Sequence, residues 1–288
     1  MDVHESRSTA AAARAATAAP ILVSGGTGTL GRLVVKRLEE SGTTVRVLSR
    51  RDHEGRDGVQ FITGDLSTGA GVEQAVEGIE TVIHCAGASK GDDITTGTLV
   101  RVARRAGVRH LVFISVVGAD RVPVVSRADR VMFGYFASKR AAERVVEESG
   151  IPWTMLRATQ FYDLILLVTR QMARLPLIPL PTGFRFQPVD TDEVAERLVE
   201  LAHAAPAELV PDIAGPTVYT TAELLHAYLH AAGKRRSTVP LHLPGRAARA
   251  VRAGANLAPD RRVGRRTWEQ FLAEHVAAPA SSAAQRGT

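Results

Sequence analysis

Three glycines follow a short apolar run near the start of the chain and could hold a phosphate group. The stretch ILVSGGTGTLGR, residues 21–32, places Gly25, Gly28 and Gly31 at intervals of three residues. The first glycine permits a tight turn, the second lets backbone N–H groups approach a pyrophosphate, and the third lets the next helix pack closely on the strand. The pattern therefore predicts a dinucleotide-binding turn, with the phosphates at the positive end of a helix. The residues expected to contact the dinucleotide are Gly25, Thr27, Gly28, Thr29, Leu30, Gly31 and Arg32.

Two arginines after the second predicted strand favour one of the two nicotinamide dinucleotides. An NAD site places an acid here to bind the ribose 2′-hydroxyl, whereas the sequence VLSRR has Arg50 and Arg51 and no acid before Asp52. A guanidinium pairs with a 2′-phosphate through two hydrogen bonds, and a carboxylate would repel it. We therefore favour NADP(H), with Arg32 as a second contact for the phosphate and NAD(H) as the alternative.

The elements that must position these groups alternate between strand and helix. Apolar runs predict strands at 20–25, 44–50, 59–65, 81–87, 110–118 and 152–159, and helical patterns lie between them, including one from about Tyr135 to Ser149. Such alternation requires right-handed crossovers and produces a parallel sheet. Because the strands are apolar along their whole length, helices must cover both faces of the sheet. The predicted fold class is α/β, a Rossmann-type doubly wound parallel sheet.

Two short motifs at the ends of later strands could also contact a dinucleotide. In GDL, Asp65 could accept a hydrogen bond from the adenine amino group while Leu66 packs on the ring, although the tripeptide could equally form a turn and helix cap. In CAGA, residues 85–88, Ala86 and Gly87 are small enough for the chain to pass close to the cofactor, although simple strand-end packing would need the same residues.

The pattern becomes less regular in the last third of the chain. Residues 173–184 are rich in proline and predict irregular structure, and helices are predicted after Asp190 or Thr191 and at 220–233 and 266–275. We expect a Rossmann core at 20–157 and a small α/β substrate lobe at 158–275 that belongs to the same domain unit. The ends, 1–19 and 276–288, are rich in small residues and are expected to be disordered tails.

Composition restricts the classes of protein that the chain could belong to. Cys85 is the only cysteine, which excludes a disulfide framework and a thiolate metal cluster and is typical of a reducing cytosol. No apolar run reaches the length of a membrane span, and residues 1–19 lack the apolar stretch of a secretory signal. The histidines lack the paired spacing of a metal site, and His226 and His230 have no third ligand. We expect a cytoplasmic protein without a bound metal.

A basic segment carries more than the whole net charge of the chain. Between Lys234 and Arg266 there are ten basic residues and one acid, Asp260, so the net charge of this segment is +9. The net charge of the whole chain is +6, so the remainder carries −3. Such a segment could bind nucleic acid, a membrane surface or an acidic ligand. No aromatic interleaving accompanies the charge, which favours a solvated arginine-rich face. We expect no nucleic-acid or membrane partner.

With these motifs in place, the chain resembles the short-chain dehydrogenase/reductase superfamily, and within it the atypical branch of NmrA-like and isoflavone-reductase-like NAD(P)-binding proteins. The resemblance spans about residues 20–275 and implies a Rossmann core with a small C-terminal substrate lobe. The stretches that carry it are SGGTGTLGR (24–32), VRVLSR (45–50), GDL (64–66), HLVFISVVGAD (110–120), YFASKRAAE (135–143) and PWTMLRATQFYD (152–163).

The resemblance gives Tyr135 and Lys139 a chemical role. They form a YxxxK motif, and residues four apart share one face of a helix. The lysine charge beside the phenol would favour the phenolate and lower the pKa of Tyr135. The resemblance implies that Tyr135 transfers a proton while hydride moves between the nicotinamide and a carbonyl or activated double bond, and that Lys139 holds the nicotinamide ribose.

Relatives usually add a Ser or Thr just after the fifth strand to polarise the carbonyl. Ser115 is the residue nearest to that place, although the matching position lies closer to Val116 or Val117, and Ser126 is an alternative. The resemblance also places the substrate cavity after the sixth strand. The residues there are Arg157, Thr159, Gln160 and Phe161, which could equally cap the strand end.

These features lead to one main functional prediction and two alternatives. The main prediction is an NADP(H)-dependent oxidoreductase that acts on a small organic carbonyl or activated double bond and that could form a homodimer. The first alternative is a regulatory protein that senses NADP(H) without catalysis. The second is a nucleotide-sugar epimerase or dehydratase, because such enzymes share the glycine loop.

Overall fold

A computed structural model describes residues 19–87 and 91–276. The tails expected at 1–19 and 276–288 therefore lie almost wholly outside the described residues, as does Ala88 at the end of the CAGA motif. The described chain divides into two compact units. Unit 1 contains the chain up to Ser115 together with Gly134–Arg157 and Thr191–Pro211, and unit 2 contains Val116–Phe133, Ala158–Asp190 and the chain from Asp212 onward.

A seven-stranded parallel sheet forms the centre of the fold, and its strand order is β3-β2-β1-β4-β5-β6-β9. Strands β1, β2 and β4 pair in register, with Ile21 opposite Val45 on one side and opposite Thr81 on the other. The bounds are β1 Ile21–Ser24, β2 Val45–Ser49, β3 Val59–Thr63, β4 Thr81–His84, β5 His110–Val116, β6 Trp153–Ala158 and β9 Glu208–Leu209. The reversal of strand order between β1 and β4 creates the crevice at which open α/β sheets bind ligands.

Helices connect most of these strands, as is usual for crossovers between parallel strands, while β2 and β3 are joined by residues 50–58 without a helix. The bounds are α1 Thr29–Glu40, α2 Val72–Val76, α3 Asp92–Arg105, α4 Arg127–Glu147 and α6 Thr191–His203. Helix α1 buries Leu30, Val34 and Leu38, whose spacing of three or four residues places them on one face. The core of unit 1 is built from fully buried strand residues such as Leu22, Val82, Leu111 and Met155. The predicted Rossmann-type α/β fold is confirmed.

Unit 2 contains two small sheets and four helices within the described chain. Strands β7 Leu177–Pro181 and β11 Ser237–Leu241 are parallel, and β8 Arg185–Phe186 and β10 Tyr219–Thr220 are antiparallel. The helices are α5 Tyr162–Met172, α7 Thr221–Ala231, α8 Arg246–Arg252 and α9 Trp268–His275. The core of this unit is aromatic, with Tyr162 packed on Trp268 and Phe271 at centroid distances of 5.7 and 5.2 Å.

The structure differs from the sequence expectation at several elements. Helix α4 begins at Arg127, eight residues before the predicted start, because Ser126 and Asp129 exchange hydrogen bonds that fix its first turn: Asp129 N–H donates to the Ser126 hydroxyl at 3.0 Å, and Ser126 N–H donates to Asp129 Oδ2 at 3.1 Å. Residues 173–184, expected to be irregular, contain β7. Helix α5 and strand β11 have no counterpart in the prediction. The buried residues of α5 keep helical spacing, but exposed apolar residues between them hide it, and every residue of β11 is exposed. None of the helices in the described ranges is long and apolar enough to cross a membrane.

Candidate cofactor and catalytic site

The glycine loop connects β1 to α1, and two of its glycines have no room for a side chain. A Cβ on Gly31 would lie 2.1 Å from the carbonyl oxygen of Gly25, so that helix α1 packs directly on the loop. Gly25 has φ +74°, and a Cβ there would lie 2.5 Å from the backbone N of Ala86. Gly28 is less confined, with 3.2 Å to the Gly25 oxygen. The loop backbone is therefore held in place by close contacts with the chain after β4.

The start of helix α1 presents unpaired backbone donors to an anion. Its N-cap is Gly28, which has no side chain that could cap the helix, and its first turn has no acidic residue. The first N–H groups of a helix lack partners within the helix and carry its positive partial charge. Thr27, Gly28 and Thr29 are exposed, whereas Leu30 is buried and anchors the helix. The loop therefore fits a pyrophosphate, as the sequence indicated.

Positive charge is exposed beside this loop. Arg32, Arg50 and Arg51 are all exposed, and the N–H of Arg51 donates to the buried Ser49 hydroxyl at 3.2 Å, which fixes the turn after β2. Asp65 lies close enough for the Arg50 charge to act on it, but the largest influence is the pair of hydrogen bonds that Asp65 accepts from Ser67, each 2.8 Å long. These interactions lower the pKa of Asp65.

Leu66 and Gly87 take contrasting positions among the predicted cofactor contacts. Leu66 is buried in the core of unit 1. Gly87 passes close to the YxxxK lysine, since a Cβ on Gly87 would lie 3.3 Å from Lys139 Nζ. Ala86 and Gly87, the two residues singled out for their small size, therefore lie between the glycine loop and Lys139: Gly25 contacts Ala86, and Gly87 contacts Lys139.

Lys139 is buried and is held by an acid that the sequence reading missed. Its Nζ lies 3.0 Å from Asp92 Oδ2, donates to the Ile114 carbonyl oxygen at 3.2 Å, and lies 5.0 Å from the centre of the Phe113 ring. Asp92 is the first residue of α3, is itself fully buried, and accompanies Asp93 in the first turn. The only signal in the sequence was an acid at a helix start, which is common for reasons unrelated to catalysis.

Tyr135 lies four residues before Lys139 on α4 and is 42% exposed. Burial raises the pKa of Tyr135 above its ordinary value, Asp92 raises it further, and the charge of Lys139 lowers it by less than the burial raises it. The charge of Lys139 thus acts on the pKa of Tyr135 in the expected direction, but burial outweighs it and the net pKa is raised. Partial burial of the phenol is the largest cause of the raised pKa, and Asp92 offsets part of the effect of the Lys139 charge.

The hydroxyl of Ser115 is engaged by a second buried cluster. It donates to Glu143 Oε1 at 2.7 Å, and the same carboxylate accepts from Arg157 Nε at 2.7 Å and from Arg157 Nη2 at 2.8 Å. Arg140 Nη1 adds a further bond to Glu143 Oε2 at 2.9 Å. Glu143 is fully buried. Arg157, expected in the substrate cavity, thus joins Ser115 in a charge cluster between β5, β6 and α4.

The other residues predicted to line a substrate cavity belong to unit 2. The Thr159 hydroxyl is buried and donates to the Gln187 carbonyl oxygen at 2.6 Å. Gln160 Nε2 makes a long hydrogen bond of 3.4 Å to the Asn256 carbonyl oxygen, and its buried Oε1 accepts no bond from the described protein groups. Phe161 is the N-cap of α5. Of this group, Gln160 retains an amide oxygen that could accept a bond from a ligand.

A buried histidine close to the Lys139–Asp92 pair was also missed. His84 Nδ1 lies 2.5 Å from the Ser24 hydroxyl, and its Nε2 lies 3.0 Å from the Thr96 hydroxyl. Burial lowers the pKa of His84 to about 4, with Asp92 raising it and Lys139 lowering it. The ring is therefore neutral at neutral pH and bridges β1, β4 and α3 by hydrogen bonds.

Comparison with known proteins identifies the class. A sequence profile of the NAD(P)H-binding family matches residues 25–204, so the chain belongs to that family, within the atypical short-chain dehydrogenases/reductases. The sequence-based assignment to this family, and to its NAD(P)H-dependent oxidoreductases, is confirmed. The finer expectations, the choice of NADP(H) and the kind of substrate, go beyond this class.

Two of the relatives of the chain are named as reductases. The chain is 30% identical over 245 residues to a ceramide reductase from Caulobacter vibrioides, which covers 78% of this chain and 74% of the relative. It is 26% identical to an NAD(P)H azoreductase from Xenophilus azovorans over 220 residues, 74% of each chain. An NADPH-dependent quinone oxidoreductase from Escherichia coli, solved with NADPH, has the same fold, with a TM-score of 0.74, 16% identity, and coverage of 88% of this chain and 99% of that one.

Proposed function

We propose that the protein is an NADP(H)-dependent reductase that acts on a small organic carbonyl or activated double bond. The observation that carries the proposal is the continuous path from the glycine loop through Ala86 and Gly87 to Lys139, with Tyr135 four residues away on the same helix. The path joins a phosphate-binding loop to a proton donor within one unit. The relatives named as reductases support the same reaction class.

The charges near the loop support NADP(H) over NAD(H). Arg50 and Arg51 follow β2 where an NAD site would place an acid, and both are exposed and available to a 2′-phosphate. Arg32 adds a third exposed guanidinium. Asp65 is a nearby carboxylate, but its two hydrogen bonds with Ser67 direct it into its own turn.

The protein's own groups would supply the proton and the orientation. NADP(H), when bound, supplies the hydride. Tyr135, whose pKa is raised, is protonated at neutral pH and can donate its phenolic proton to the oxygen or carbon of the substrate. Lys139 is fixed by Asp92 and the Ile114 carbonyl, which leaves it in a single position from which to hold the nicotinamide ribose. A raised pKa suits the reducing direction, because the acid must carry its proton before each turnover.

A second candidate function is a binding protein that senses NADP(H) without catalysis. It is favoured by two hydroxyl groups that donate within the protein, Ser115 to the Glu143 carboxylate and Ser126 to the Asp129 carboxylate. Both hydroxyl groups expected to polarise a carbonyl are thus engaged within the protein. A catalytic site would then depend on Tyr135 and Lys139 alone.

Loss of NADPH absorbance with a panel of ketones, enones and quinones distinguishes the two functions. For the reductase we expect turnover by at least one class, and Tyr135→Phe should lower kcat about a hundredfold or more while the Kd for NADPH stays unchanged. Tyr228→Phe, at a buried tyrosine of unit 2, is the matched control and should keep its activity. Tight NADPH binding without turnover by any class would leave the binding protein, and full activity in Tyr135→Phe would remove Tyr135 as the acid.

A further inference from the structure

One face of the small parallel sheet in unit 2 is apolar and exposed. Strand β7 alternates, with Ile178 and Leu180 buried and Leu177 and Pro179 exposed. In a parallel pair, residues that are partners in register point to the same side of the sheet, and Leu177, Pro179 and Pro181 pair with Ser237, Val239 and Leu241. We call these six residues the β7–β11 face. Leu177 is 52% exposed, Val239 41% and Leu241 40%.

A group of arginines lies at one end of this face. Arg174, Arg235 and Arg236 line a surface cleft of about 480 Å³ together with Pro176 and Ser237, and we call this the arginine cleft. Its described lining carries three positive charges and no carboxylate. The cleft is held in place because Arg236 Nε donates to the Ala173 carbonyl oxygen at 3.1 Å, at the C-terminal end of α5. Ser237 belongs to both the cleft and the face, so the two are continuous.

We propose that the β7–β11 face and the arginine cleft together dock the protein on an anionic lipid surface. An apolar face bordered by basic side chains is the pattern of proteins that lie on a membrane, with apolar groups at the acyl boundary and cations at the headgroups. Each Lys or Arg near an anionic leaflet adds to this attraction. The proposal departs from the expectation, drawn from the sequence, that the chain has no membrane partner.

Two features make other occupants a poorer fit. A second copy of the chain packed on this face with its strands parallel would bring two arginine clefts together, and like charges in close contact oppose association. Addition of a strand at the edge of the sheet is hindered by Pro179, Pro181 and Pro240, which have no N–H to donate. A negatively charged surface meets neither obstacle.

Sedimentation with vesicles tests the proposal on the full-length protein. We expect binding to mixed phosphatidylglycerol and phosphatidylcholine vesicles, little binding to phosphatidylcholine alone, and weaker binding at high salt because screening acts on exposed charges. Leu177→Glu with Val239→Glu should weaken the binding at least about tenfold. Arg174→Ser and Arg235→Ser should each weaken it about fivefold. All four side chains are exposed, so the fold is not expected to change, and thermal unfolding verifies this.

Matched substitutions elsewhere provide the controls. Val263→Glu places a charge on another exposed apolar residue of unit 2, and Arg105→Ser removes a cation from α3 in unit 1; both should bind vesicles as the parent protein does. Equal binding by parent and face variants, or no binding to anionic vesicles at low salt, would overturn the proposal. A dimer in sedimentation velocity that Leu177→Glu with Val239→Glu dissolves, without vesicle binding by the parent, would show that a second copy covers the face.

Discussion

The glycine loop and the buried charge clusters of unit 1 are built in opposite ways. The loop and the first turn of α1 form one run, Gly25–Gly31, in which Thr27, Gly28 and Thr29 are exposed, and the first N–H groups of the helix have no partners within the helix. The clusters join residues far apart in the sequence, and their donors are satisfied inside the protein: Glu143 is bonded to Ser115 and Arg157, and Lys139 to Asp92. The loop can therefore bind a ligand, whereas the clusters stabilise the fold of unit 1. Substitutions in the two regions should therefore affect different measurements.

The largest effect is expected at Glu143. Glu143→Gln removes the carboxylate charge that faces the buried Arg157 and should lower the free energy of unfolding by about 4 kcal/mol, as for other buried pairs that lose one partner. NADPH affinity of the molecules that remain folded should not change. Urea unfolding and fluorescence titration measure the two quantities. Glu147→Gln, on the same helix and bonded to Arg140 at its exposed edge, should cost less than about 1 kcal/mol. Equal costs would show that the cluster does not hold the shape of unit 1.

The next effect is a dependence of stability on pH that His84 causes. The pKa of His84 is about 4 in the folded protein and 6.5 without burial, so between these values the unfolded chain binds the proton and the folded protein does not. The contribution of His84 to the free energy of unfolding is fully present above pH 6.5, and the free energy of unfolding should fall by about 3 kcal/mol as the pH is lowered to 4. The comparison is urea unfolding of the parent and of His84→Gln at several pH values. A parent curve no steeper than that of the variant would contradict the neutral buried ring.

A substitution at Gly31 tests whether the glycine loop contributes to stability as well as to dinucleotide binding. Gly31→Ala brings a methyl group to 2.1 Å from the Gly25 carbonyl, which the backbone must move to avoid. We expect a loss of about 2 kcal/mol in stability and a loss of binding for NADPH and NADH alike, because both share the diphosphate. Gly97→Ala in helix α3, where the nearest atom to the new Cβ is 3.9 Å away, should be neutral or stabilising. Normal dinucleotide binding by Gly31→Ala would mean that the phosphates lie elsewhere.

A smaller effect is expected from the exposed arginines, and it should appear in one ligand only. Arg50→Ser with Arg51→Ser removes the cations placed for a 2′-phosphate and should raise the Kd for NADPH about tenfold or more, as charged hydrogen bonds are worth about 1.5–3 kcal/mol. The Kd for NADH and the unfolding midpoint should stay close to those of the parent. Arg105→Ser serves as the control for a change in net charge. An equal loss for both dinucleotides would remove the assignment of NADP(H).

The smallest expected effect is a shift in the pH profile of the reduction rate, caused by the buried carboxylate of Asp92. Asp92 raises the pKa of Tyr135, so Asp92→Asn should lower it and move the upper pH limit of the reduction rate to lower pH. A purely structural role for Asp92 would change stability and leave the profile where it is. The profile of kcat against pH, measured for parent and variant, separates these results. Asp93→Asn, at the neighbouring position in the same first turn, is the matched control.

Short-range patterns were enough to predict most of the sheet and the loop. The six predicted strands each contain an observed strand, because a doubly covered parallel strand must be apolar along its length. The loop between β1 and α1 was readable from its glycines alone, since each glycine marks a steric requirement met within a few residues or by the adjacent strand end. Helix α5 was missed because the exposed residues Leu164, Leu167 and Val168 are apolar too and hide the helical spacing of its buried residues, and β11 was missed because none of its residues is buried.

The sequence by itself thus determined the Rossmann fold, the family and the loop that would hold a diphosphate, because these depend on spacings of a few residues along one strand or helix. Only the tertiary structure decided that Asp92 neutralises Lys139, that Tyr135 is held protonated, that Ser115 belongs to Glu143, and that Leu177 and Val239 share an exposed face. Each of these depends on the distance between groups that are tens of residues apart in the sequence. For the charged groups, burial also strengthens the electrostatic interaction at a given distance.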